Sequence, residues 1–243
     1  MRIHFIQHEV FEAPGAYLTW AEKQQHSVTF SHVYQQDPLP KEIDSIDVLI
    51  IMGGPQSPDS SPSEYPYFDA KVEIAFIRQC IDAGKAVVGI CLGAQLIGEA
   101  LSATYRHSPQ KEIGVFPITL TEEGINDSKI AHFGSPLPVG HWHNDMPGLT
   151  PESKILASSV GCPRQIVRYT NLVYGFQCHM ELTSEVVRLL IDAEEDLFLQ
   201  SQSLQFVQSP EEIKTFDYRE MNSKLHTFLD LLECAYTRSL ISK

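Results

Sequence analysis

Cysteine is scarce in this chain, and none of it is arranged to cross-link or to chelate. Five cysteines, Cys80, Cys91, Cys162, Cys178 and Cys234, are spread over 243 residues. The number is odd and no C-x-x-C pair occurs, which argues against a disulfide framework and against a thiolate zinc site. Basic residues are outnumbered, 18 Lys and Arg against 31 Asp and Glu, for a formal net charge of −13. A field of that sign repels polyanions, so neither nucleic acid nor an anionic membrane is expected as a partner. Long apolar runs are missing too. No stretch reaches the ~20 residues of a bilayer span, and Gln7, His8 and Glu9 break the apolar start too early for a signal peptide. Together these absences point to a reducing, cytoplasmic setting. Internal repeats, low-complexity tracts and a Walker-type phosphate loop are also lacking. What remains is 43% hydrophobic and 20% charged, enough apolar material for a substantial core.

Short apolar runs alternate with longer segments of helical period. Residues 3–6 read as a strand, 15–25 as a helix and 28–33 as a second strand. Val48-Leu49-Ile50-Ile51-Met52 is a continuous β-rich run that stops at Gly53-Gly54-Pro55. Unbroken apolarity suggests burial on both faces, as in a parallel sheet. The Ser- and Pro-rich stretch 57–66 is a loop. A helix over 68–83 follows from the spacing of Val72, Ala75, Phe76 and Gln79, with Gly84 as its stop. Residues 86–90 form another buried strand that runs into a helix ending near 101. The middle third is turn-rich, with strands expected at 115–120, 154–157 and 165–169, partly antiparallel. A strand over 172–177 precedes a helix over 182–200 capped by Thr183. The polar stretch 200–209 reads as a short linker. Residues 210–240 show helical spacing through Met221, Leu225, Phe228, Leu229 and Leu232. This rhythm predicts an α/β fold with an open, mostly parallel sheet and helices on both faces. It places residues 1–200 in one domain and 201–243 in a C-terminal helical extension packed on that domain.

Three motifs carry chemistry. Gly89-Ile90-Cys91-Leu92-Gly93 is the cysteine counterpart of the G-x-S-x-G nucleophile elbow. A nucleophile perched between strand and helix sits on a tight turn where flanking side chains would crowd. The helix N-terminus beneath the sulfur favours thiolate. His179 follows a strand and stands two residues before Glu181, which suits an imidazole base oriented by a carboxylate. Gly53-Gly54-Pro55 ends the run at 48–52, so the Gly54 and Leu92 N–H groups are assigned to an oxyanion hole. Each motif alone also fits a bland role: a buried cysteine in a glycine-rich turn, a strand-end histidine, a tight turn. His141 and His143 lack a third ligand at clear spacing, so no metal is expected.

Taken together, Met52-Gly53-Gly54-Pro55, Gly89 through Gln95, Trp142-His143-Asn144-Asp145 and Phe176 through Glu181 resemble a class I glutamine amidotransferase domain, in the family's order. The chain is similar to the free-standing group close to the amidotransferase half of GMP synthase. The resemblance implies a flavodoxin-like fold, a Cys91–His179–Glu181 triad and a γ-glutamyl thioester at Cys91 that releases ammonia and then glutamate. It also implies that Gln95, Trp142 and His143 hold the glutamine portion of the substrate, and it calls for no cofactor. The family's usual glycine is replaced by Asn144, a residue that can still adopt a left-handed turn. Cys178 alternates with His179 and is expected to face the other way. Three functions stay open: a glutaminase feeding a separate synthase protein, a γ-glutamyl peptidase or hydrolase acting on γ-glutamyl small molecules, and a non-catalytic binding or regulatory member. The oligomeric state is left open.

Overall fold

The structure is a computed structural model that describes residues 1–241. Its strands are β1 (Arg2–Gln7), β2 (Ser27–His32), β3 (Val48–Ile51), β4 (Ala86–Ile90), β5 (Arg106–Leu120), β6 (Leu137–Met146), β7 (Lys154–Ser158), β8 (Ile166–Thr170) and β9 (Val173–Phe176). They form one sheet in the order β2-β1-β3-β4-β9-β8-β7-β5-β6. The half from β2 to β9 is parallel, and the remaining strands extend it antiparallel. β3, β4 and β9 are buried along their whole length. Such strands need apolar residues on both faces, and that is why their sequences do not alternate.

The helices are α1 (Gly15–Lys23), α2 (Ala70–Asp82), α3 (Leu92–Ala100), α4 (Glu122–Asn126), α5 (Ser184–Ala193), α6 (Leu197–Ser201), α7 (Pro210–Lys214) and α8 (Arg219–Ile241). One face of the sheet packs against α1, α5 and α8 through Trp20, Tyr174, Phe176, Leu190 and Phe228. The other packs against α2 and α3 through Phe76, Ile77, Leu96 and Ile97. The flavodoxin-like α/β architecture expected from the sequence is the one observed. Met221, Leu225, Phe228, Leu229 and Leu232 of α8 are all buried, so the terminal helix lies on the same core.

Several local readings differ. The inward face of α2 is Ala70, Glu73, Phe76, Ile77 and Cys80, while Val72 is 54% exposed. The helix turns a buried carboxylate inward, which an apolar-stripe argument does not anticipate. The single helix expected over 182–200 is broken at Glu194, whose φ and ψ of −99° and 86° leave the helical region. Asp192, Glu194, Glu195 and Asp196 crowd that turn with negative charge, unfavourable at a helix C-terminus. The stretch 200–209 is no free linker. Ile113 N–H donates to Phe206 O, Gln208 N–H donates to Ile113 O, and the Gln208 side chain bonds both Val115 backbone groups. β5 is far longer than 115–120, and β6 was not anticipated at all. The β5–β6 ladder is interrupted between His107 and Glu112, so neither strand shows a clean period of two.

Candidate active site

The parallel strands deliver their C-terminal ends to one edge of the sheet, where open α/β folds gather their chemistry. Cys91 caps α3 with φ 50° and ψ −108°, a conformation that a side chain rarely adopts and that marks a constrained turn. The two glycines are there because backbone passes through the space a Cβ would need. A Cβ on Gly89 would lie 2.3 Å from the Gly93 carbonyl carbon, and one on Gly93 would lie 2.2 Å from Ile51 O. Cys91 N–H donates to Phe176 O at 2.8 Å, tying the elbow to β9. Burial pushes the Cys91 thiol up, while the His179 imidazole and the Leu92 N–H at the start of α3 pull it back. The sulfur also makes a long contact of 3.7 Å to the Trp142 carbonyl.

β9 lies beside β4 in register, Ile90 opposite Phe176, so the chain leaving β9 passes the elbow. It carries His179, whose N–H donates to Gly140 O at 2.8 Å. His179 Nδ1 donates to Glu181 Oε1 at 2.7 Å. Its Nε2 is buried with no conventional hydrogen bond and interacts with the Cys91 thiol. Burial alone would lower the pKa of His179, but the Glu181 carboxylate and the thiol more than offset it and hold the ring well above its ordinary range. His179 and Glu181 do not share the face of an extended strand, as a period of two would require. The segment is irregular and is held from both sides. Ala16 N–H at the start of α1 donates to Glu181 O at 3.0 Å. Asn222 of α8 donates to Met180 O and Leu182 O at 2.8 and 3.1 Å. Cys178 faces away, its thiol against Gln165 O.

Beyond β3, Gly53 and Gly54 complete the edge. Both ring nitrogens of buried His8 meet acceptors, Gly53 O at 3.0 Å and Glu73 Oε2 of α2 at 2.9 Å, so both donate and the ring is cationic. Burial works against that charge, and Glu73 outweighs it, leaving the His8 pKa raised. A trans peptide points its C=O and N–H in opposite directions. Holding Gly53 O toward His8 therefore turns the Gly54 N–H away from it. A Cβ on Gly54 would come within 3.1 Å of Leu92 Cδ2.

The class-I glutamine amidotransferase profile matches residues 18–190. The chain belongs to the class-I glutamine amidotransferase family. It is 52% identical over 238 residues to the glutamine amidotransferase-like protein YfeJ of Salmonella typhimurium, covering 98% of this chain and all of that protein. The crystal structure of SMU.1228c is 54% identical, with a TM-score of 0.95 over 96% of this chain and 100% of that one. A GMP synthase of Dehalococcoides mccartyi is 29% identical over 138 residues, 55% of this chain but 23% of that protein. The family's general chemistry is hydrolysis of the glutamine amide.

In this amidotransferase fold a cavity of about 270 Å³ opens in front of Cys91. Gln95, Trp142, Lys111 and Glu194 line it. Gln95 Nε2 donates to Gln177 Oε1 at 3.3 Å, and its Oε1 is buried without a partner. His143 borders the cavity, but its Nε2 is turned to Glu112 Oε2 at 3.3 Å and to His141 Nδ1 at 3.4 Å. β5 thus supplies the third polar group that sequence spacing had not provided for the two histidines. Glu112 also accepts from Ser159 Oγ and Gln165 Nε2, so its charge is met by hydrogen bonds. Burial lowers the His141 pKa to about 3 and that of His143 in the same direction. This network of two neutral imidazoles around one carboxylate fixes β6 behind Trp142. Asn144 lies within β6, at the point where the ladder with β5 shifts register, and is not among the residues with positive φ, so the left-handed turn open to asparagine is not taken.

Sequence reasoning missed Glu12, His8, Glu73 and Glu112. The first two lie directly after β1, and the loop following any parallel strand faces this edge, so their position was a usable signal. Glu73 and Glu112 gave none. Among the described residues no helix is long and apolar enough to cross a membrane.

Proposed function

We propose that this chain hydrolyses the side-chain amide of glutamine through a γ-glutamyl thioester on Cys91. What supports the reading above all is the bare Nε2 of His179 set against the Cys91 sulfur, with Nδ1 held by Glu181. The thiol proton passes to His179 Nε2, and the sulfur attacks the amide carbon. The oxygen takes up negative charge against the N–H groups of Gly54 and Leu92. As the C–N bond breaks, the nitrogen takes the proton from His179 and leaves as ammonia. Water then attacks the thioester, giving up a proton to His179. The C–S bond breaks, the sulfur is reprotonated and glutamate departs. Gln95 Oε1 and the Trp142 segment hold the amino-acid head.

Ammonia produced here goes to a separate synthase protein in the first reading. The same acyl-enzyme serves a γ-glutamyl hydrolase, since only the leaving amine differs. The cavity in front of Cys91 has a volume of about 270 Å³ and includes Lys111 and Glu194 in its lining, which supports room for a larger leaving amine. Incubation of the purified protein with glutamine and with γ-glutamyl peptides distinguishes the two. Ammonia from glutamine alone supports the first, and faster amine release from the peptides supports the second. No turnover of either, alone or with lysate added, would leave only a binding or regulatory role.

The oxyanion assignment has its own test. His8→Ala is expected to lower kcat about 10- to 100-fold with little change in KM, because the Gly54 N–H loses its aim while substrate contacts stay. The double variant His8→Leu/Glu73→Leu removes both members of the ion pair, so neither is left as an unpaired charge, and should show the same kcat loss in a folded protein. Unchanged kcat in that double variant would remove His8 from this role.

A further inference from the structure

Glu12 is the one group at the reacting edge that the triad chemistry leaves unused. It follows β1, is 5% exposed and lines the cavity. A Cβ built on Gly53 would lie 2.5 Å from Glu12 Oε2 and 3.3 Å from Cys91 Cβ, so the carboxyl and the nucleophile flank the same backbone atom. No hydrogen bond reaches its oxygens from any described residue. Every other buried carboxylate of the site has a donor: Glu73 has His8, Glu112 has Ser159 and Gln165, and Glu181 has His179. A buried carboxyl without a donor destabilises a fold. Beside a nucleophile and lining the cavity, such a carboxyl is an acceptor open to a ligand.

We propose that the Glu12 carboxylate accepts the N–H of the scissile γ-amide and so turns the nitrogen's developing lone pair toward His179. This rests on the amide-hydrolase reading given above. In the planar amide the nitrogen lone pair is delocalised and points at no proton donor. As sulfur adds, the nitrogen becomes pyramidal and must face His179 Nε2 to be protonated. An N–H held by Glu12 selects that rotamer. Glu12 neither gives nor takes a proton in the step. The thiol proton still travels from Cys91 to His179 and then to the nitrogen, and the C–N electron pair leaves with the amine. The contact needs a nitrogen that carries hydrogen, so the substrate class is primary amides and singly substituted γ-glutamyl amides.

The groups facing Glu12 are His8 and Glu9 from its own loop, His179 and Glu181 from the segment after β9, and Cys91 at the elbow. Burial is the largest influence. Glu181 and Glu9 add to it, His179 and His8 oppose it, and the Glu12 pKa is pushed up to about 7. Ionisation creates the acceptor, so amide turnover should rise as pH increases through about 7. Stability runs the other way. An unfolded Glu ionises near 4.5, so the fold loses stability as pH rises from there to the folded-state value.

The test compares glutamine with the γ-methyl ester of glutamate, whose leaving atom carries no hydrogen. For the amide, Glu12→Gln and Glu12→Ala should lose about 10- to 100-fold in kcat. Their loss on the ester should be under about 3-fold. The limb of the amide pH profile near 7 should vanish in Glu12→Gln. At pH 8 that variant should melt about 3 °C or more above the parent, because it no longer buries a charge. Equal losses on ester and amide, or none on the amide, would overturn the role of Glu12 while leaving the hydrolase intact. A parent protein that cleaves neither compound would overturn the hydrolase reading, and this role with it.

Discussion

Cys91→Ala is expected to abolish turnover of glutamine and of γ-glutamyl compounds, a fall on the order of 10,000-fold or more, with a melting temperature within a few degrees of the parent. The sulfur is the only protein atom in the proposed sequence that bonds to the substrate carbon, and nothing nearby replaces it. Cys178 is buried with its thiol against Gln165 O, and burial pushes that thiol well up, with Glu181 adding to the effect. Cys91→Ser should be nearly as inert. An alcohol is far harder to ionise than a thiol, and it would sit in the same buried position where desolvation already opposes the anion. Initial rates of ammonia and amine release check both variants. Mass spectrometry after treatment with diazo-oxo-norleucine should place the label on Cys91 in the parent and nowhere in Cys91→Ala. Turnover retained by the alanine variant would dispose of the thioester.

The second large effect is on the fold. Gly93→Ala places a Cβ 2.2 Å from Ile51 O and 2.9 Å from Ile51 Cβ. Ile51 belongs to β3, which is paired on one side with β1 and on the other with β4, so its backbone has no freedom to retreat. α3 must lift off the sheet instead, carrying Cys91 and the Leu92 N–H with it. We expect a stability loss of about 2–4 kcal/mol, seen as a melting temperature lower by roughly 5–15 °C, and little activity in the fraction that stays folded. Gly134→Ala is the control. Gly134 has φ +77° and ψ 178° but nothing within 4 Å of the added Cβ, so the substitution should cost about 1–3 kcal/mol of backbone strain alone and leave activity intact. If Gly93→Ala melts and turns over like the parent, α3 does not press on β3 as described here.

Some parts of the site are readable one residue at a time. Gly89 and Gly93 bracket Cys91 because a strand-to-helix turn leaves no room on either side. That crowding is local, so spacing alone reveals it. The buried strands β3, β4 and β9 are legible for the same kind of reason: a continuous run of Val, Ile and Leu carries its environment in its composition. His179 and Glu181 were recognisable as partners two residues apart, but the geometry behind the pairing was not. Their orientation comes from Ala16 and Asn222, contributed by α1 and α8, and no period of two is involved. The reading of α2 failed where its inward face carries Glu73, because hydrophobic spacing cannot register a buried charge whose partner lies elsewhere. β6 was missed because its ladder with β5 shifts register near Glu112.

By itself the sequence determined the fold class, the buried parallel strands, the elbow at Cys91 and the candidate pair His179 and Glu181, since each leaves a signal in a few adjacent residues. Only the tertiary structure decided which charges are paired. His8 and Glu73 are separated by 65 residues, and Glu112 reaches His143 from the opposite strand. Glu12 stands at the cavity with no hydrogen-bond donor among the described residues. The physical reason is that the environment of a buried ionisable group is set by whatever segments of chain fold around it. Nothing in the adjacent residues encodes which segments those will be.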